Sequence, residues 1–187
     1  ESNIYKLELE LKSYRALLDN LNELLGNVYI TNVSNNKYSA EGTGFSIKYK
    51  DKYYLITAGH GVHYVEDDYD ILYTNFKFKA NFTDKWIYPK LLDYENDYLN
   101  RNDYAILYSD KINSGFAIDT ENDDAEYILG YNNISIIKDI DDTNVGGESG
   151  SAVIDLDGEV VGISVTDSRY YYTYIDTVLQ AIDNIDK

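Results

Sequence analysis

Ser149 stands in Gly146-Gly147-Glu148-Ser149-Gly150-Ser151, a glycine-rich turn directly ahead of the apolar run Ala152-Val153-Ile154. A turn that tight exposes the hydroxyl. Its glycines allow consecutive backbone N–H groups to converge on one point, where they can hold a developing oxyanion. His60 closes the stretch Tyr54-Leu55-Ile56-Thr57-Ala58-Gly59-His60 and is followed by Gly61, while Asp103 opens Asp103-Tyr104-Ala105-Ile106-Leu107. Taken singly, each has an ordinary reading: glycine-serine turns are common loops, a lone histidine at a strand end is usually structural, and acids often flank strands. Together they are the residue types of acyl transfer, because a serine hydroxyl is a poor nucleophile near neutrality and needs a base with an unperturbed pKa near ~6.5. His63 is the rival base and is expected in a loop.

These residues require a scaffold of strands. Short β-branched and aromatic runs separated by Gly, Asn and Asp predict strands over Val28–Val33, Gly44–Tyr49, Tyr53–Thr57, Ile71–Phe78, Trp86–Leu92, Tyr104–Tyr108, Tyr127–Leu129, Ile134–Ile137, Ala152–Asp155 and Val160–Val165. Without βαβ alternation, such a series means a sandwich or barrel. Asp157-Gly158 is a strong two-residue hairpin signal and Asp51-Lys52 a weaker one. Ahead of the strands, Ile4, Leu7, Leu11, Tyr14, Leu18, Leu21, Leu25 and Val28 form a heptad seam that ends at a Gly26-Asn27 cap. Leu17 and Leu24 widen the seam, which suits self-association through residues 4–28 and packing on a globular body equally. After the strands, Ile175, Val178, Leu179, Ile182 and Ile185 predict a helix over Tyr174–Asp186 with Asp176 as its N-cap.

Composition narrows the chemistry. The 187 residues carry 16 Lys+Arg against 33 Asp+Glu, for a net charge of −17, so clustered basic patches for nucleic acid or an anionic membrane are not expected. With no cysteine and two histidines, thiol catalysis, disulfides and a zinc site are excluded or improbable, and neither metal nor cofactor is expected. The acidic stretches Glu66–Asp70, Asp119–Glu126 and Asp139–Asp142 invite a calcium reading. The second, however, lacks the Gly and Glu of an EF-hand loop, and solvated loops are the expectation. No apolar run approaches the ~18 residues of a membrane span. The absence of methionine leads us to expect a processed piece of a longer product, with no compartment indicated.

The order His60, Asp103, Ser149 in a β-rich chain resembles the trypsin/chymotrypsin-like serine proteases, from about Val28 onward. Gly42-Thr43-Gly44-Phe45 looks like the strand before the histidine hairpin. Leu55-Ile56-Thr57-Ala58-Gly59-His60 is similar to the Thr-Ala-Ala-His signature, with Gly59 for the second alanine. Asp103-Tyr104-Ala105-Ile106-Leu107 and Gly147-Glu148-Ser149-Gly150 resemble Asp-Ile-Ala-Leu-Leu and Gly-Asp-Ser-Gly. The segment from Ala152 to Ile163 looks most like bacterial high-temperature-requirement proteases and glutamyl endopeptidases; Gly150-Ser151 likewise resembles the latter.

The resemblance implies an all-β fold of two six-stranded antiparallel barrels. Residues 1–27 would form the helix, 28–110 the first barrel with His and Asp, and 111–187 the second barrel with Ser and a C-terminal helix. It implies Ser149 as nucleophile, His60 as general base and then acid, Asp103 as the group fixing the imidazole, and the N–H groups of Gly147 and Ser149 as oxyanion hole. Thr143 would lie at the base of the specificity pocket, where enzymes selecting Lys or Arg carry an acid, and Ser164, Val165 and Thr166 would form its wall. That disfavours a basic residue before the scissile bond and points to a small or apolar one, with glutamate as the alternative. Expected partners are therefore protein or peptide substrates, including the chain's own precursor or a dedicated partner. The contrasting expectation is a catalytically silent protease-like module assembled through its helix.

Overall fold

The computed structural model describes residues 2–121, 125–131, 133–136, 149–165 and 172–186. Helix α1 (Ser2–Asp19) and the short α2 (Leu21–Leu25) lead into strands β1 (Val28–Ser34), β2 (Ser39–Tyr49) and β3 (Lys52–Thr57). A helical turn at Gly59–Gly61 precedes β4 (His63–Glu66), β5 (Tyr69–Leu72), β6 (Asn75–Ala80), β7 (Lys90–Asp97) and β8 (Asn102–Tyr108). Beyond lie β9 (Tyr127–Gly130), β10 (Asn133–Ile136), β11 (Ala152–Ile154), β12 (Val160–Ser164), β13 (Tyr172–Tyr174) and helix α3 (Ile175–Ile185). No described helix is long and apolar enough to cross a membrane.

The strands form an antiparallel six-stranded sheet in the order β6-β1-β2-β3-β8-β7 and a five-stranded sheet in the order β10-β9-β11-β12-β13. The fold is thus mostly β with few helices, as expected. Closed six-stranded barrels are not what the described residues form, although a bridge between Phe78 and Ile87 links edge strand β6 to the segment entering β7. Strands β4 and β5 pair only with each other, as a separate ribbon. Alternation along the central strands explains why their sequences read as continuous apolar runs, since both faces are covered. Tyr54, Ile56, Tyr104 and Ile106 face a core shared with the second sheet and α3, whereas Leu55, Ala105 and Leu107 face a cluster around Phe78. Phe45 and Phe116 meet edge-on in the shared core at 6.2 Å. Burying each such side chain contributes about 1.5–3 kcal/mol.

Several boundaries differ from expectation for identifiable reasons. The run Ile71–Phe78 divides into β5 and β6, because the Tyr73 and Thr74 N–H groups bond across to Val62 and Ser34 carbonyls. The run Trp86–Leu92 contains Pro89, which cannot donate to a ladder, and regular pairing begins only at Lys90. The β2–β3 turn residues are Lys50 and Asp51, not Asp51 and Lys52; both have positive φ, at 51° and 64°, as a tight mirror-image turn requires. In α3 the N-cap is Tyr174, and Asp176 lies in the first turn, where its charge suits the helix dipole.

The Asp157-Gly158 hairpin has a three-residue loop rather than two. Asp155 N–H donates to the Glu159 carbonyl and Gly158 takes φ +78°, with a register shift at Val153/Ile154. The Asp155 side chain, 2% exposed, accepts at Oδ1 from the N–H groups of Asp157 and Glu159. Burial pushes its carboxyl up to about 7; those two donors oppose the shift, and Asp119 and Glu159 add to it.

The N-terminal seam divides into a packed end and an exposed beginning. Leu17, Leu21, Leu24 and Leu25 pack against the shared core, and the Leu17 and Leu24 side chains rest over Gly158 of the hairpin. Ile4, Leu7, Leu11 and Leu18 are half or more exposed, while Tyr14 meets Tyr127 edge-on where the helix reaches the body. Val28 begins β1 and is fully buried, so it is not part of the helix. Gly26 is the helix cap in the right-handed conformation, not a left-handed one.

Candidate active site

Each candidate residue sits where a strand ends against the other sheet. Strand β3 delivers His60 through the Gly59–Gly61 turn, which lies so close to β7 and β8 that a Cβ at Gly59 would fall 1.7 Å from the Glu95 carbonyl oxygen. Strand β8 carries Asp103, fully buried. Ser149 precedes β11, and its turn is held by Gly150 N–H donating to the Ser164 carbonyl at 2.7 Å and Ser164 N–H donating to the Ser151 carbonyl at 3.0 Å. Gly150 has φ +88°, and a Cβ there would meet the Thr43 carbonyl oxygen at 2.1 Å and Thr57 Oγ1 at 2.5 Å. Thr57 Oγ1 itself donates to the Thr43 carbonyl at 2.7 Å, so the serine turn is seated on the Gly42–Gly44 and Thr57 segments singled out in the sequence.

The three side chains form one chain of contacts. Ser149 Oγ lies 2.6 Å from His60 Nε2, and His60 Nδ1 lies 2.7 Å from Asp103 Oδ2. The other carboxylate oxygen, Oδ1, accepts the His60 backbone N–H at 3.0 Å. An ionised carboxylate can only accept, so Nδ1 must carry the proton and Nε2 presents its lone pair to the serine hydroxyl. That is the tautomer a general base needs.

His63 is in strand β4 rather than a loop, with Nε2 2.6 Å from Asp70 Oδ1 and Nδ1 3.4 Å from the Tyr94 hydroxyl. It makes a separate acid–imidazole pair. Ser164 and Val165 are buried, and Ser164 pairs through its backbone with the serine turn. Gly147, Thr143 and Thr166 lie outside the described residues.

Two features were missed in the sequence. Thr173, fully buried in β13, accepts the Asp103 N–H at 3.2 Å and donates to the Asp103 carbonyl at 2.9 Å, clamping the acid's backbone from the second sheet. Its only sequence signal was a place in a tyrosine-rich stretch. A cavity of about 180 Å³ also opens beside Ser149 and His60, lined by Val33, Ala40, Tyr64 and Tyr73 with Glu41 at its edge. It lies on the β1–β2 side, away from the wall expected at Ser164–Thr166.

No protein-family model and no curated protein sequence matches the chain. Solved structures do. The Rv3671c protease of M. tuberculosis in its active form superposes with a TM-score of 0.61 at 19% identity, over 91% of this chain and 86% of that one. The serine endoprotease of Yersinia pestis gives 0.60 at 18%, over 92% and 66%. The HtrA-type protease AlgW, solved with a tripeptide, gives 0.58 at 15%, over 86% and 60%. This is the chymotrypsin-like serine protease fold. The chain spans 66% and 60% of the latter two proteins, less than two thirds of each, and 86% of the first. Within the chymotrypsin-like fold, the meeting of β3, β8 and the turn before β11 lies between the two sheets, where residues from both converge.

Proposed function

We propose that the chain is a serine endopeptidase, and the observation that carries this reading is the unbroken Ser149–His60–Asp103 contact chain in a fold shared with serine proteases. Ser149 Oγ attacks the substrate carbonyl carbon while its proton passes to His60 Nε2. The tetrahedral intermediate collapses as that proton moves to the leaving amine, and water repeats the sequence to release the acyl group. Asp103 fixes the tautomer and stabilises the imidazolium; the N–H groups of Gly147 and Ser149 hold the oxyanion. In this reading residues 28–110 and 111–187 are two barrel halves, one supplying base and acid and the other the nucleophile. Thr143 and Ser164–Thr166 form the pocket before the scissile bond. The cavity near Tyr64 and Tyr73 takes a side chain after it, since His60 must face the leaving amine. The chemistry requires no cofactor, and the substrate is a protein or peptide.

Labelling with a fluorophosphonate tests the proposal. One covalent adduct on the wild type and none on Ser149→Ala is the expected intact-mass result; an unlabelled, folded wild type would overturn it.

A second reading concerns assembly and rests on the exposed stripe Ile4, Leu7, Leu11 and Leu18. In heptad register Glu10 of one helix would face Arg15 of a parallel second copy, both exposed in this chain, so a homo-oligomer through α1 brings opposite charges together. Sedimentation at tens of micromolar is expected to show a concentration-dependent dimer that Leu7→Glu/Leu11→Glu abolishes. A wild type that stays monomeric would end this reading without touching the protease one. A silent module held by α1 is the contrasting case, and the label distinguishes it.

A further inference from the structure

Asp119, Asp155 and Glu159 come from two separate segments, yet each places a carboxylate oxygen within 4.8 Å of the others. Asp119 is brought there by backbone pairing: its N–H donates to the Val160 carbonyl at 2.9 Å, beside a parallel bridge between Ile118 and Val160. Asp155 and Glu159 are the two ends of the hairpin loop. Among the described residues no lysine or arginine forms an ion pair with any of the three.

An independent observation concerns Asp155 alone. Its Oδ1 is taken up by two backbone N–H groups, but Oδ2 is buried with no donor beside it; its neighbour is the Asp119 carboxyl, which can share a hydrogen bond with it only when one of the two carries a proton. An orphaned buried carboxylate oxygen is costly, because it has given up water without a replacement. A proton shared with Asp119 relieves such an atom, and so does a cation held among the three carboxylates, which leaves all of them ionised.

We propose that Asp119, Asp155 and Glu159 form a calcium site that fastens the 155–159 hairpin. The donor set is all oxygen, which selects a hard cation over zinc or copper. Oxygens sharing one calcium ion, at about 2.4 Å each, can lie no more than about 4.8 Å apart, which these three satisfy. Calcium also tolerates irregular coordination completed by water, and the partial exposure of Asp119 and Glu159 leaves room for it, whereas magnesium demands a near-ideal octahedron. Because Leu17 and Leu24 rest over Gly158, the ion would stiffen the seat of the N-terminal helices as well as the hairpin. The inference does not depend on the protease reading.

The test uses the full chain stripped with chelator, titrated with calcium chloride at constant ionic strength and followed by calorimetry and thermal unfolding. We expect one site with Kd about 10⁻⁴–10⁻³ M and, at a hundredfold excess over Kd, a Tm higher by about 5–10 °C. Asp155→Asn, which keeps the acceptor for the two N–H groups, and Glu159→Gln, an isosteric change on a partly exposed side chain, should each lose most of the shift. No shift in the wild type overturns the site. Equal shifts in wild type and both variants also overturn it, since calcium would then bind elsewhere on this acidic surface. A magnesium shift as large as calcium's overturns the assignment of the ion.

Discussion

His60→Ala and Ser149→Ala should each lower kcat by a factor on the order of 10⁶ on any peptide substrate the wild type cleaves, and the double variant should be no worse than either alone. The non-additivity follows from the contact geometry: Oγ at 2.6 Å from Nε2 is a nucleophile only while the imidazole can take its proton, and the imidazole has no other work. Remaining turnover would reflect whatever the oxyanion donors and binding supply, roughly 10³–10⁴ over water. Both side chains are partly exposed, so Tm should stay close to that of the wild type. Rates measured with Tm on the same preparations separate lost chemistry from lost fold. A His60→Ala enzyme within tenfold of wild type would remove His60 from the role given to it.

Asp103→Asn should retain the fold and lose about 10⁴ in kcat with KM little changed. The amide oxygen can still accept the His60 backbone N–H in place of Oδ1, so the turn stays in position. The amide nitrogen then faces Nδ1 as a donor. Nδ1 must surrender its proton, and the imidazole presents Nε2–H, rather than a lone pair, to Ser149. A purely structural role for Asp103 would instead predict a loss of Tm in step with activity. Rates near normal would contradict the tautomer argument directly.

His60, Asp103 and Ser149 were legible because each marks the boundary of an apolar run, and because burial on both faces made those runs conspicuous. Gly150 and Gly59 were legible as glycines; only the structure shows that the neighbours excluding a side chain are backbone oxygens of the opposite strands. Other parts depended on contacts that sequence spacing cannot convey. The β4–β5 ribbon is mostly exposed, so no buried face marks β4 in the sequence, and His63 consequently looked like a loop residue. Thr173 acts through a hydroxyl on residue 103, seventy positions away. The acidic trio is invisible in the local clusters because Asp119 alone belongs to one, and its partners lie across a hairpin. The heptad seam was ambiguous in sequence because spacing alone does not tell a packed leucine from an exposed one: its end packs on the body and its beginning faces solvent.

The clamp of Thr173 on Asp103, with α3 immediately behind it on the shared core, also orders events during synthesis. Strands β1 to β8 can pair as soon as they emerge, since their partners are near in sequence. The backbone of Asp103 acquires its clamp only when residue 173 arrives, and the core joining both sheets is complete only when α3 has folded onto it. On the protease reading proposed above, a nascent chain is therefore expected to stay inactive until Thr173 and α3 have emerged and folded onto the shared core.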